Sequence, residues 1–128
     1  MEDYVSFEQA VDLKILGFDW KCNHWYHQLE PDKILESDDY SNHNRFERPF
    51  SAPTLAQAAR WLREVKGISV EPFSSVVGKD WAYQLYHTQK DKFGLSVVVD
   101  KKCVKEYGYA TYEEALAEGV SQALKLLK

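Results

Sequence analysis

Three short strings in this chain share one pattern: Ser6-Phe7-Glu8-Gln9-Ala10, Thr54-Leu55-Ala56-Gln57-Ala58 and Thr111-Tyr112-Glu113-Glu114-Ala115. In each, a hydroxyl residue precedes Gln or Glu by three positions, and an amphipathic run follows. This is the signature of a capping box. The hydroxyl accepts from a free backbone N–H of the first turn, while the Gln or Glu side chain reaches back to the cap's own N–H. Three helix origins follow. The first helix is expected from Phe7 to Leu16, closed by Gly17 in the left-handed position with Phe18 as the apolar contact after it. The second should run from Leu55 to Lys66 and close at Gly67, with an apolar stripe of Leu55, Ala58, Ala59, Leu62 and Val65 and with Trp61 on its flank. The third carries Tyr112, Ala115, Leu116, Gly119, Val120, Ala123, Leu124 and Leu127 at steps of three or four. Its small residues, Ala115, Gly119 and Ala123, form a shallow groove that would seat the axis close against a sheet.

Between the second and third helices the period changes to two. Ile68 to Phe73, Trp81 to His87 and Leu95 to Val99 read as strands, and the polar Gln89–Gly94 join makes the last two antiparallel neighbours. Near the N-terminus, Trp20 to Leu29 reads as a strand, Pro31 to Asn44 as a polar, mobile loop, and Arg45 to Phe50 as a returning strand. At 128 residues the chain has room for one hydrophobic core. The expected fold is therefore α+β: a single domain over 1–128 in which an antiparallel sheet of three to five strands is packed by about three helices. Within it, 1–50 supplies a helix and an aromatic β segment, and 51–128 an α-β-β-β-α core.

Aromatic residues make up 14% of the chain. Such side chains fill small cores and also dominate binding surfaces, so an interface is one destination for the excess. The net charge of −4 offers no field to concentrate a polyanion. Nucleic acid is accordingly disfavoured as a partner, although Arg60, Arg63 and Lys66, and also Lys101, Lys102 and Lys105, fall close together. No stretch approaches the roughly 20 apolar residues that span a bilayer. The acidic start lacks the layout of a secretory signal, and Cys22 and Cys103 read as free thiols, so the cytoplasm is the expected compartment and a membrane partner is not.

Two resemblances attach to these residues. Val5 to Glu8 with Leu16-Gly17-Phe18-Asp19 and Cys22, Ser51 to Thr54 with Ala58 and Trp61 to Glu64, and Tyr112 to Ala115 with Gln122 to Lys125 together resemble a group of small uncharacterised proteins. Those proteins are carried by prophages and mobile elements of Bacteroides-type bacteria, and the resemblance implies a phage-related origin with no assigned activity. The α-β-β-β-α order and the spacing of Ala115, Gly119, Ala123 and Leu127 also resemble double-stranded-RNA-binding domains. In that family the start of the last helix carries lysines that meet phosphates. Here the same turn holds Tyr112, Glu113 and Glu114, which would repel a phosphate backbone.

Residues with catalytic or ligand chemistry are sparse. Cys22, His24 and His27, with His43 further on, form the densest set of zinc-type ligands, but a strand through Trp20–Leu29 turns His27 away from Cys22 and His24, and the spacing matches no zinc knuckle. Cys22 or Cys103 with a histidine, or Ser74 and Ser75 with His87, have the residue types for nucleophilic catalysis without a local signature. Phosphate-binding glycine loops are absent. No catalytic, cofactor or metal residue is assigned, and an enzyme ranks below a non-enzymatic protein-interaction domain and below a nucleic-acid-binding module.

For an interaction surface the pattern singles out Gln84, Tyr86 and Val98 on the sheet face opposite Trp81, Tyr83 and Leu85, together with Arg60 and Arg63 on the second helix. The face of Tyr86 and Val98 is expected to be covered by Trp20–Phe50; if open, it is a partner surface. The caps give a direct check. Thr54→Ala and Thr111→Ala should each cost about 0.5 to 2 kcal/mol, because a first-turn N–H loses its acceptor. Chemical denaturation measures this, and unchanged midpoints at both positions would remove the assignment.

Overall fold

Ser6 opens α1 (Phe7–Ile15) with a complete capping box. The Gln9 N–H donates to Ser6 Oγ at 3.2 Å, and the Ser6 N–H donates to Gln9 Oε1 at 2.9 Å. The helix closes on Gly17 at φ 94°, where Phe18 N–H reaches Leu13 O and Gly17 N–H reaches Lys14 O, the paired bonds of a Schellman ending. This computed structural model describes residues 3–74, 80–90, 92–93, 96–100 and 106–128; of Thr88–Lys90, Ser96–Asp100 and Glu106–Tyr107 it describes the backbone alone. The other two boxes are half made. Thr54 and Thr111 accept from the N–H groups of Gln57 and Glu114 at 3.1 Å each. The Gln57 side chain, however, turns to Lys21 O, and Glu114 accepts from Ala110 N–H, one residue before the cap.

After α1 the chain forms β1 (Cys22–His27), β2 (Glu30–Ser41), a 3-10 turn (His43–Arg45) and β3 (Pro49–Ser51), an antiparallel sheet in the order β2-β1-β3. Two expectations are corrected here. The stretch Pro31–Asn44 is mostly strand rather than loop, with Tyr26 opposite Ile34 and Trp25 opposite Leu35. It is an edge strand, and charges and a proline are what keep an exposed edge from pairing with other chains, so its polarity resembled that of a loop. Arg45–Phe50, in turn, contributes only the short β3 after the 3-10 turn. Lys14 fixes the segment after that turn to α1, its ammonium donating to the carbonyls of Phe46, Glu47 and Pro49 at 2.7 to 2.8 Å.

The second half begins with α2 (Leu55–Trp61), whose last turn, Leu62–Lys66, is a π-helix. The wider turn changes which residues face inward. Trp61 is fully buried rather than at the flank, and Val65, expected on the stripe, is 53% exposed. Then come β4 (Ile68–Ser74), β5 (Trp81–Lys90), β6 (Ser96–Asp100), β7 (Glu106–Tyr109) and α3 (Tyr112–Leu127). β5 and β6 are the expected antiparallel neighbours, β4 pairs antiparallel with the other edge of β5, and β7, unforeseen in the sequence, pairs with the start of β5. The protein is thus α+β, with helices packed on antiparallel sheet. Ser75, Gly78, Gly94, Leu95, Lys101, Lys102, Cys103 and Lys105, for which the sequence raised expectations, lie outside the described residues.

α3 lies on β4 and β5. Beneath it Tyr83 and Leu85 are buried, as the alternation of β5 requires. A Cβ on Gly119 would stand 2.5 Å from Val70 Cγ1 and 3.3 Å from Tyr83 Cβ, so the groove of small residues is a close contact with the sheet. Gly119→Ala would gain up to about 1 kcal/mol in helix propensity, whereas overpacking costs about 1 to 3 kcal/mol. The second effect should win, lowering the denaturation midpoint, and Gly119→Leu should lower it further. A raised midpoint for Gly119→Ala would contradict this seating.

Candidate functional site

The extended link Asp19-Trp20-Lys21, between α1 and β1, runs beside α2 because Gln57 Nε2 donates to Lys21 O at 2.9 Å. Across this join Trp20, Lys21, Tyr40 of β2, Gln57, Arg60 and Glu64 line an open cleft of about 840 Å³, with Asp19 and Ala56 completing its wall. Trp20 is half-buried, its ring 6.3 Å from that of Phe18. Tyr40 is 61% exposed. The Arg60 guanidinium sits 5.9 Å from the Trp20 ring centre, and its Nε donates to Glu64 Oε1 at 2.9 Å. As an exposed pair, Arg60 and Glu64 contribute about 0 to 1 kcal/mol, so the arrangement orients the guanidinium more than it stabilises the fold. Tyr40 and Gln57 also line a separate, smaller hollow of about 250 Å³, with Tyr4, Asn23, His24 and Thr54. Tyr4 and His24 pack ring on ring there, 4.1 Å between centroids.

Of the residues singled out from the sequence, Arg60 alone lies in this cleft. Arg63 is exposed on the π turn and does not line it. Gln84 and Tyr86 are elsewhere, on the face of β5 turned away from α3, joined by a 2.6 Å bond from the Tyr86 hydroxyl to Gln84 Oε1. Trp20–Phe50, expected to cover the face of Tyr86 and Val98, closes into a sheet of its own, and Gln84 and Tyr86 are half-buried. Val98 stands opposite Thr88 in the sheet; its side chain lies outside the description. Sequence reasoning missed Trp20, Tyr40 and Gln57 as site residues. Tyr40 had a signal: an aromatic within a polar run has no apolar neighbours to draw it inward.

Cys22, His27 and His43 each hold a local hydrogen bond. The Cys22 S–H donates to its neighbour His24 O, His43 Nε2 bonds Cys22 O at 2.9 Å, and His27 Nδ1 accepts from Leu29 N–H. His43 is buried, stacked beside Trp25. Among the described residues no three of His, Cys, Asp or Glu are placed to hold a metal ion. Ser74 and His87 cannot act together. They sit opposite Trp81 and Ile68, at the two ends of one strand pair, about 20 Å apart at the rise of a strand. No helix among the described residues is long and apolar enough to cross a membrane. Set against known protein families, curated proteins and solved structures, the chain matches none.

Burial pushes the Cys22 thiol above its ordinary value of 9.0, and its polar surroundings at Ser51, His24 and Ala52 offset this only in part. The thiol is therefore protonated at neutral pH and is no nucleophile. With Cys103→Ser in place, Cys22 should react with a disulfide reagent far more slowly in the native protein than in denaturant. The unfolded chain loses the thiol proton first, so the contribution to stability is full below about pH 9 and falls as the pH rises past it. Equal reaction rates in the two states would contradict the burial.

Proposed function

We propose that this chain is a non-enzymatic protein-interaction domain, of prophage or mobile-element origin in Bacteroides-type bacteria, that docks its partner in the cleft between α2 and the Asp19–Lys21 link. The origin rests on the sequence resemblance alone. The docking reading rests on one observation: Trp20, Tyr40 and Arg60, three side-chain types enriched where proteins meet, converge on an open cleft. A catalytic reading has less behind it, since the buried Cys22 and the separated Ser74 and His87 provide no activated nucleophile.

The nucleic-acid reading keeps one supporting feature, the α2–β4–β5–β6–α3 order with β7 inserted before α3. Against it stand Glu113 and Glu114, both exposed in the first turn of α3 where phosphate contacts would be needed.

The test places a photo-reactive benzoylphenylalanine at position 40 and, as a control, at position 29, where Leu29 is also exposed. In host extract the position-40 protein should form a discrete protein adduct that the control does not, and Arg60→Ala should diminish it at unchanged thermal stability. An adduct from both positions, or from neither, would refute the cleft as docking site. An adduct that survives Arg60→Ala but is lost in Tyr86→Ala would move the interface to the sheet face.

A further inference from the structure

At the end of β1, His27, Gln28, Leu29 and Arg48 line a hollow of about 270 Å³ that shares no residue with the cleft. We infer that this hollow binds a small organic monocarboxylate, an acid group carried on an apolar body, as a ligand separate from the docking partner proposed above. The acid group follows from the donors. Arg48 is the only charged residue of the lining; it is exposed, and among the described residues its side chain makes no ion pair or hydrogen bond. Its planar guanidinium presents a fork of N–H groups that matches the two oxygens of a carboxylate. His27 adds a second donor to the lining. Its Nδ1 accepts from Leu29 N–H at 3.1 Å, so the proton of the neutral ring is on Nε2, which has no hydrogen-bond partner among the described residues.

The nearby carboxylates lie outside the lining. Glu47 acts on the Lys14 ammonium, and Glu30, exposed opposite His27 in the sheet, forms no ion pair with His27 or Arg48. One fixed positive charge balances a monoanion, whereas a phosphate dianion would leave excess negative charge on a protein that already carries −4. The apolar body follows from Leu29. That side chain is 79% exposed, and an aliphatic group laid against it removes apolar surface of both partners from water. Drug-sized ligands occupy pockets of about 300 to 1,000 Å³, so the volume here sets the acid as a small one. A peptide's terminal carboxylate would also need a groove for the residues before it, and this lining is four residues at one end of a sheet.

An NMR titration of the whole isotope-labelled protein tests this, followed at the Leu29 amide and the Arg48 Nε–H. The probes are 4-methylpentanoate, its uncharged amide 4-methylpentanamide, acetate, inorganic phosphate, and a short peptide that ends in leucine with a free carboxylate. 4-Methylpentanoate should move both signals with a Kd of about 1 mM, and the amide, acetate and phosphate should each bind at least about tenfold more weakly. Arg48→Gln should weaken 4-methylpentanoate about tenfold at unchanged thermal stability, because the side chain bonds to nothing in the fold, and Arg63→Ala, on the π turn, should leave it unchanged. Equal binding of the amide would remove the carboxylate from the recognition and overturn the assignment. Equal binding of acetate, tighter binding of phosphate, no shift of either signal, or indifference to Arg48→Gln would overturn it as well. A peptide bound more tightly than 4-methylpentanoate would overturn it in favour of a partner's chain terminus. A small acid leaves no protein adduct at position 29, so failure here and failure of the cleft are read separately.

Discussion

The side-chain amide of Gln9 connects parts of the protein that lie far apart in sequence. Its oxygen accepts from Ser6 N–H and completes the first capping box, while its nitrogen donates to Ala117 O at 2.8 Å and Ser121 Oγ at 2.7 Å, 108 and 112 residues away. The group is 6% exposed, so each of these bonds stands in place of one to water that is no longer available. One residue thus begins α1 and binds it to α3. Because α3 is pressed onto β4 and β5 at Gly119, the same amide relates the N-terminal sheet to the C-terminal one. Two backbone bonds reinforce the join at the start of α2, Val5 N–H to Pro53 O and Leu55 N–H to Asp3 O.

The cleft is a consequence of that join. With the segment before α1 paired to the cap of α2, the link Asp19–Lys21 has to pass alongside α2, and Gln57 fixes it there. Gln57 is the residue that the sequence pattern assigns to a capping box. It gives up the local bond for a tertiary one, and Thr54 alone caps the helix. At the other end of α2, the π turn buries Trp61 and Leu62 side by side and leaves Arg63, Glu64 and Val65 exposed. Turns of this kind add a residue without ending the helix and are frequent beside functional surfaces. Here the turn carries Glu64, the partner of Arg60 at the cleft.

Helix starts and ends were legible because their chemistry is local. A hydroxyl at Ser6, Thr54 or Thr111 meets an N–H three residues on, and Gly17 meets its own φ requirement, whatever the rest of the chain does. The faces of β5 were legible for a related reason, since alternation places Tyr83 and Leu85 together before any partner is known. β2 was not legible. An edge strand buries little, its two apolar residues Ile34 and Leu35 are adjacent rather than alternating, and its acidic side chains serve to discourage pairing with other chains. β7 was missed because the four residues of Glu106–Tyr109 become a strand only by pairing with β5.

By itself the sequence determined the three helix origins, the antiparallel β5–β6 hairpin and the need for close approach at Gly119, each set by contacts within a few residues or by a periodicity. Only the tertiary structure decided that Trp61 is core and Val65 surface, that Gln9 and Gln57 tie distant segments together, and that Trp20, Tyr40 and Arg60 face one another across a cleft. The reason is physical. Hydrogen-bonding side chains such as Gln have both local and distant partners open to them, and aromatic side chains have both core and surface, and the choice is made by which backbone the fold brings within reach.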